Sequence, residues 1–514
     1  MLDPKKIILT QIFEGGGGGS SVEVEPLSIT ANGTYTAETG KAYSPVTANV
    51  PNSYAAGDEG KVVSNGALVS QTSTTITENG TVDTTLNNSV TVNVSGGGGS
   101  GDPIRDVNFY DYDGTIVKSY TAADFASVSA LPDNPSHTGL TAQGWNWSLN
   151  DAKTFVSEYG GLDIGQLYVT ESGKTELDIE LRELLSPTLG LCINGTVDID
   201  WGDGTSHSTA TGSSLTTLIG ANHTYASAGN YTIKIGASSG NYAIVGNTTK
   251  QAQILYNGDA TSLSTSDSIV YRNSIVSVRI GADVSLRGDG FADCRCLESI
   301  TLPKNSIYTT YELFNGCLNL KSVTLPAYTE HDSSANAFSA CYTLESVSTP
   351  KGMSYYTQCF YQCYSLKKSV MIGSGNSYLG TQWASYARVL RDVVAGTTDT
   401  VNIGESAFAF DTALRSVDLR GTNGISKTAF NGCSSLEKVI IPSGVTVVAA
   451  DAFKNCYSMK RLRFLGSTPP TASSSTSFSG LPTTCVIEVP TGSLASYTSA
   501  SNYPSSSTYT YVEY

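Results

Sequence analysis

The residues of this 514-residue chain that could do chemistry are ten cysteines, four histidines and a few tight groups of aspartate. A thiol becomes a nucleophile when its pKa is lowered, or one of four ligands when it converges with others on zinc. Asp198, Asp200 and Asp203, with His207 and His223 close behind, offer oxygen and nitrogen donors that a cation could use. Spacing argues against both uses. Val197, Ile199 and Trp201 alternate as a half-buried strand, so the intervening carboxylates point outward and Gly202-Asp203-Gly204 forms a turn. Asp200 and Asp203 remain the one place where calcium would fit. Six of the cysteines, Cys294, Cys317, Cys341, Cys363, Cys433 and Cys456, return at nearly constant intervals, which points to structure.

The element that positions those cysteines is a repeat. The pattern F-x-x-C-x-x-L-x-x-V/I-x-L/I-P starts at Phe291, Phe314, Phe338, Phe360, Phe408, Phe430 and Phe453, with a degenerate copy at Ala384. A period of about 23 residues with one short strand per unit is the signature of a solenoid. One unit cannot bury enough apolar surface to offset the ordering of its backbone, so the units must stack. Rungs about 4.8 Å apart would line the thiols up in a row as small buried space-fillers, and would not close four of them on a metal. Ala387 and Ala413 are read into the cysteine slot of the two rungs that lack one.

Composition sets the frame. Charged residues are 15% of the chain, Gly numbers 51 and Tyr 29, and short strands and turns fit this mix better than long helices. The expected fold class is mainly β: a multidomain chain of small β modules ending in a repeat solenoid of about eight rungs. A net charge of -15 argues against nucleic acid or anionic membrane as partner. No apolar run is long enough to insert into a membrane. Gly15 to Gly19 and the GGGGSG at 96–101 act as flexible joints. The expected divisions are an anchoring peptide (1–14), a linker (15–26), two hairpin modules (27–95), a second linker (96–103), a spacer (104–175), a β-sandwich (176–265), the solenoid (266–470) and a cap (471–514). In the hairpin modules Asn32-Gly33-Thr34 is echoed by Asn79-Gly80-Thr81, and each Asn-Gly predicts a tight turn.

Several stretches resemble known families. The NGT hairpins and the segment YAAGDEGKVVSNGALVSQTS look like modules of tailed-bacteriophage fibre proteins. Asp111-Tyr-Asp113-Gly-Thr115 resembles the nucleophile motif of haloacid dehalogenase-type phosphatases, in which the first Asp would attack phosphorus and the second act as acid and base. No alternating α/β scaffold follows, so a hairpin turn is the preferred reading, with Trp145 and Trp147 packing across it. A sugar-binding face at Trp147 is the alternative. The whole unit resembles the internalin B-repeat type of β-grasp spacer. WGDGT at 201–205, HTY at 223–225 and GNYTIKI at 229–235 resemble the polycystic-kidney-disease-like β-sandwich, in which the Asp and Trp would lock a strand-turn corner. The repeats resemble BspA-like leucine-rich repeats, and CVIEVP followed by SLASYTSA resembles their closing cap.

These resemblances imply a protein that binds and does not catalyse. The sequence holds no motif that fixes an active site, and no cofactor or metal is expected. The reading is a non-enzymatic virion fibre of a tailed phage, attached to the particle by its N-terminus and gripping a bacterial surface glycan or protein through the solenoid. Ile7, Ile8, Leu9, Ile12 and Phe13 are the candidate anchor to capsid or tail proteins by strand addition. The receptor-binding candidates are Tyr355, Tyr356, Tyr361, Tyr364, Tyr378, Trp383 and Tyr386, where the repeat loosens. A homo-oligomer, with a trimer favoured, made in the host cytoplasm and released by lysis, completes this reading, because MLDPKKIILTQIFE lacks the features of a secretory signal. A secreted bacterial adhesin of the same architecture is the alternative.

Overall fold

The computed structural model describes residues 106–245, 254–256, 270–282, 284–304, 307–308, 311–326, 335–350, 357–367, 378–394, 401–419 and 421–514, and, before these, six strands of backbone. The chain forms two units, 1–104 and 105–514. In the first, Val24–Leu27 pairs in parallel with Ala42–Pro45, Thr34–Glu38 in parallel with Thr91–Ser95, and Lys61–Ser64 antiparallel with Ala67–Ser70. That antiparallel pair begins at Ser64 and Ala67, on either side of Asn65-Gly66 in sequence. The two expected Asn-Gly turns, at 32–33 and 79–80, lie outside the described residues, as do the anchor candidates Ile7, Ile8, Leu9, Ile12 and Phe13.

The second unit opens with a mixed four-stranded sheet. Strands β1 (Val107–Tyr110), β2 (Ile116–Tyr120), β3 (Leu140–Trp145) and β4 (Leu162–Thr170) lie in the order β2-β1-β4-β3, with β1 and β4 parallel. Two helices back it, α1 (Ala122–Ser127) and α2 (Leu149–Tyr159). Both start on side-chain caps: Thr121 accepts from Asp124 N and Ser148 from Asp151 N. Gly160, at φ 87°, ends α2 in the left-handed conformation that costs glycine least. Phe109, Phe125, Trp145, Trp147, Phe155 and Ile164 fill the space between sheet and helices.

This module is bonded to the solenoid. Trp147 Nε1 donates to Thr349 O (2.7 Å), Asn146 Nδ2 to Leu325 O (3.0 Å) and Ser348 O (3.2 Å), and Ser322 Oγ to Tyr112 O (2.9 Å). The backbone of β4 passes so close to the repeat that any side chain at Gly165 would collide with Thr324. Trp147 is 6% exposed, so the sugar-binding face considered for it is ruled out: its ring is core and its N–H is spent on a main-chain carbonyl.

The next segment was expected as a separate sandwich and instead begins the solenoid. Strands β5 (Thr175–Leu181), β6 (Thr188–Asp200), β7 (Ser208–Asn222) and β8 (Gly229–Val245) join β9 (Leu255–Tyr256), β10 (Ile275–Arg279) and β11 (Val284–Arg287) in one nine-stranded sheet that already includes strands of the repeat. Bulges split β6 and the far half of β8 goes to a new neighbour: β8 pairs with β5 at one end and, in parallel, with β11 at the other. The outer strands β10 and β11 pair in parallel with Ser299–Thr301 and Ile307–Tyr308, so the segment supplies the starting edge for both faces of the solenoid. One apolar core runs unbroken from Leu177 to Tyr497.

Beyond it the repeats stack as parallel rungs. One face is built of the strands Ser322–Thr324, Ser346–Ser348, Asp392–Val394, Ser416–Asp418, Lys438–Ile441, Arg461–Phe464, Val486–Val489 and Thr510–Glu513. The other is built of Tyr378–Leu379, Val401–Ile403, Thr422–Ile425, Val447–Val448 and Thr471–Ala472. In the eight rungs from Phe291 to Phe453 the residues two before and two after the Phe slot have positive φ, for example Gln358 (55°) and Gln362 (60°) around Phe360, or Thr428 (55°) and Gly432 (77°) around Phe430. These two left-handed residues turn the chain back on itself, and most are not glycine.

The closing segment adds a ninth ring that the repeat pattern does not reveal: Phe478 stacks on Phe453 at 6.0 Å, in the phrase FSGLPTTC. Helix α3 (Leu494–Thr498) then brings Tyr497 over the end, where its hydroxyl donates to Gly466 O (2.7 Å) and its ring meets Phe464 and Tyr503.

Candidate functional site: an aromatic ridge beside a thiol ladder

The inside of the rungs explains the cysteines. Five of the six ladder thiols, all but Cys294 in the first rung, donate a hydrogen bond to the carbonyl of the Phe one rung back: Cys317 to Phe291 (3.1 Å), Cys341 to Phe314 (3.1 Å), Cys363 to Phe338 (3.1 Å), Cys433 to Phe408 (3.0 Å) and Cys456 to Phe430 (3.3 Å). All are fully buried. Burial pushes these thiols up, Cys294 to about 12, so they are poor nucleophiles and poor metal ligands. The expected row of space-fillers thus also supplies a second donor to carbonyls that already accept a backbone N–H of their own turn, as Phe291 O does from Cys294 N. Ala387 holds the slot in its rung as expected. Ala413 does not: three residues after Phe408 comes Asp411, and its side chain is the one buried in the ladder, with Oδ1 accepting from Ala387 N at 2.6 Å. Burial drives its carboxyl well above the ordinary range, despite that hydrogen bond.

The Phe column shows how the degenerate rung is tolerated. Rings stack nearly parallel at 5.2 to 6.0 Å except at Ala384, where Trp383, one residue earlier, turns its indole into the gap and meets Phe360 and Phe408 edge-on, each at 5.4 Å. Trp383 has no exposed surface. It therefore leaves the set of receptor candidates, because it replaces a missing core ring.

The other candidates divide. Tyr355 and Tyr356 lie outside the described residues, and of Tyr378 only the strand backbone is described. Tyr361, Tyr364 and Tyr386 are half-buried on the outer surface of the turns and are brought together. Tyr364 stacks on Tyr342 at 4.9 Å, and the Arg388 guanidinium lies over its ring at 4.9 Å. Tyr361 meets Tyr386 edge-on at 6.0 Å, and Tyr386 stacks on Phe410 at 5.0 Å. Tyr342 (38% exposed), Val389 (39%) and Phe410 (41%) complete the ridge. Burial and the neighbouring Tyr342 raise the Tyr364 phenol, against the pull of Arg388. Tyr342 and Phe410 were missed because they sit inside copies that keep the Phe slot, and Arg388 because only aromatic residues were considered in the degenerate copy. Their signal was positional: four residues after the Phe slot other rungs carry Leu318 or Ser434, and two residues after it Gly316 or Gly432.

The aspartate groups are corners. Trp201 is buried, stacks on His223 at 4.8 Å, and receives the Tyr225 hydroxyl on its carbonyl at 2.9 Å. Asp203 accepts from Thr205 N (3.1 Å) and Thr205 Oγ1 (2.6 Å), and its Oδ2 meets His223 Nε2 at 2.8 Å. Burial works to raise this carboxyl, but the bonds from Thr205 and His223 win and hold it at about 2. Asp200 accepts from Gly202 N, where any side chain would strike Thr232. In the first module Asp113 accepts from Thr115 N as a turn residue, while Asp111 is buried against the Tyr168 hydroxyl (2.8 Å) and His137 Nε2 (2.7 Å). Among the described residues no group of three or more His, Cys, Asp or Glu is placed to hold a metal ion. Neither is there a helix long and apolar enough to cross a membrane.

A parallel β-solenoid with a capped end and a ring-lined outer ridge is the class of molecule this geometry defines. The model of the BspA type leucine rich repeat region matches residues 265–391 and 394–496 in six copies, and that part of the chain is built of BspA-type leucine-rich repeats. No curated protein matches the chain. Among solved structures, a leucine rich cell surface protein of Faecalibacterium prausnitzii A2-165 is similar at 18% identity over 42% of this chain and 82% of its own, with a TM-score of 0.24. A leucine-rich repeat protein of Bacteroides ovatus follows at 14% identity, 54% and 97% coverage, and a TM-score of 0.24. The pneumococcal vaccine antigen PcpA follows at 11% identity, 53% and 91% coverage, and a TM-score of 0.22.

Proposed function

We infer that this chain is a non-enzymatic surface-binding protein whose solenoid grips a bacterial surface glycan or protein through the ridge of Tyr342, Tyr361, Tyr364, Tyr386, Arg388 and Phe410. The observation that carries it is the exposure of large rings at positions where other rungs manage with Gly, Ser or Asn, so the fold itself does not require them. The ladder thiols and the aspartate corners are committed to internal bonds, which leaves them no part in catalysis. The finer reading is a tailed-phage virion fibre, homo-oligomeric and held to the particle by residues 1–14; the glycine runs at 15–19 and 96–101 and the NGT segments support it. A bacterial adhesin is the second reading, favoured by the BspA-type repeats.

The test is adsorption of the fluorescent chain to bacterial cells, comparing wild type with Tyr364→Ala/Phe410→Ala. Loss of adsorption with unchanged circular dichroism supports the reading, and equal adsorption overturns it. Antibody labelling of purified phage particles decides between fibre and adhesin.

A further inference from the structure

The charge pattern next to the ridge narrows what it binds. Seven residues after the Phe slot, successive rungs carry Glu298, Lys321, Glu345, Lys367, Arg391, Arg415, Glu437 and Lys460. Main-chain bonds run these positions into columns, from Glu345 N to Lys321 O, Lys367 N to Glu345 O, Arg415 N to Arg391 O and Glu437 N to Arg415 O. On either side of the two arginines the signs alternate and pair: Lys367 Nζ reaches Glu345 at 2.6 Å and Lys460 Nζ reaches Glu437 at 2.7 Å. Arg391 and Arg415 interrupt the alternation. Both are exposed, and among the described residues neither has an acidic partner. Arg388, three residues before Arg391, lies on Tyr364 with no carboxylate among the described residues.

A chain of net charge -15 therefore keeps three guanidinium groups in two adjacent rungs that have no acidic partner among the described residues, one of them, Arg388, lying on the aromatic ridge itself. We propose that the ridge and this arginine ladder form one binding track for an acidic polysaccharide carrying a carboxylate on each sugar. The proposal rests on the surface-binding reading above and specifies its ligand. Adjacent rungs repeat at about 4.8 Å, as neighbouring strands must. An extended uronic-acid chain, with one carboxylate per pyranose, repeats on a similar scale, so successive carboxylates can meet Arg391 and Arg415 while the pyranose rings lie along the tyrosine and phenylalanine edges. Guanidinium groups suit carboxylates because they offer paired donors in one plane. The intact alternation on both sides sets the length of the track at a few sugars.

The experiment titrates the full chain, by calorimetry or biolayer interferometry, with polygalacturonate oligomers, with the same oligomers as neutral methyl esters, and with polyphosphate. Binding to polygalacturonate that weakens with salt, is lost in the methyl ester and falls at least about tenfold in Arg391→Gln/Arg415→Gln is expected, since a hydrogen-bonded charge is worth roughly that much. Polyphosphate binding as tight as polygalacturonate binding would overturn the assignment to sugars and reduce the site to a charge patch. Equal binding of the methyl ester, or no effect of the double substitution, overturns the arginine ladder. If wild type adsorbs to cells through Tyr364 and Phe410 but ignores polygalacturonate, this proposal fails and the surface-binding reading stands. If adsorption does not depend on those rings, the earlier reading fails as well.

Discussion

Replacing Asp411 by cysteine should stabilise this protein, and more so as pH rises. Asp411 is fully buried in a slot that the neighbouring rungs fill with a thiol; its Oδ1 accepts from Ala387 N, and its Oδ2 has no partner. The thiol of Asp411→Cys would occupy the ladder position and face Ala384 O, as Cys433 faces Phe408 O. Relieving an unpaired buried polar atom is worth about 1–3 kcal/mol. Against this stands the lost bond to Ala387 N, worth about 1 kcal/mol, although that N–H keeps Ala384 O at 2.9 Å. Titration adds a further term. Burial raises the folded carboxyl above its ordinary 3.8, so below about pH 4 folded and unfolded chains both hold the proton and no linkage cost arises. As pH rises toward the folded value, the unfolded chain releases the proton and the folded one keeps it, so wild-type stability falls. The variant lacks this slope. Urea unfolding followed by tryptophan fluorescence at pH 4, 5.5 and 7 should give a gain of about 0–2 kcal/mol at pH 4 that grows at each step toward pH 7. A variant less stable than wild type at pH 7, or a difference that does not change with pH, would refute the reasoning.

Other expectations follow from the same contacts. Trp383→Ala should cost about 3–5 kcal/mol by opening the ring column, and adding Ala384→Phe should recover most of it by restoring the regular pattern; thermal unfolding of both variants checks this. Asp203→Asn should cost about 1–2 kcal/mol at pH 7. Because the folded carboxyl is depressed to about 2, its contribution is present above about pH 4 and fades as pH falls toward 2, so the two proteins should converge in acid denaturation. Among the described cysteines Cys296 alone is half-buried and the rest are buried, so brief maleimide labelling of the native chain, mapped by mass spectrometry, should modify Cys296 before any ladder thiol.

The solenoid was legible because its signal repeats. A ring, a thiol and a leucine recur at fixed offsets in most copies, with Asp411 and Met459 as single exceptions, and each recurrence strengthens the inference. The helices at 122–127 and 149–159 were missed although their caps, Thr121 with Asp124 and Ser148 with Asp151, stand in the sequence; Gly- and Thr-rich surroundings masked them. Trp383 was misjudged for a clearer reason. A tryptophan beside a degenerate repeat reads as a surface ring, and only the stack shows that it fills the space Ala384 leaves empty. The slip from Asp411 to Ala413 came from preferring a small residue where the offset places a carboxylate.

Sequence alone determined that coils of about 23 residues stack, and that the cysteines mark their beat, because a fixed spacing of apolar side chains permits one mode of burial. Tertiary structure decided where the stack begins and which rings face outward. Strand β5 pairs with β10 and the far end of β8 with β11, so the segment before the repeats enters both of their sheets, an exchange of partners that no local pattern encodes. Exposure is likewise a property of neighbours: Tyr364 and Trp383 are both aromatic residues of loosened repeats, but one meets Tyr342 and Arg388 at the surface and the other meets Phe360 and Phe408 inside, because each ring goes where the adjacent rungs leave it room.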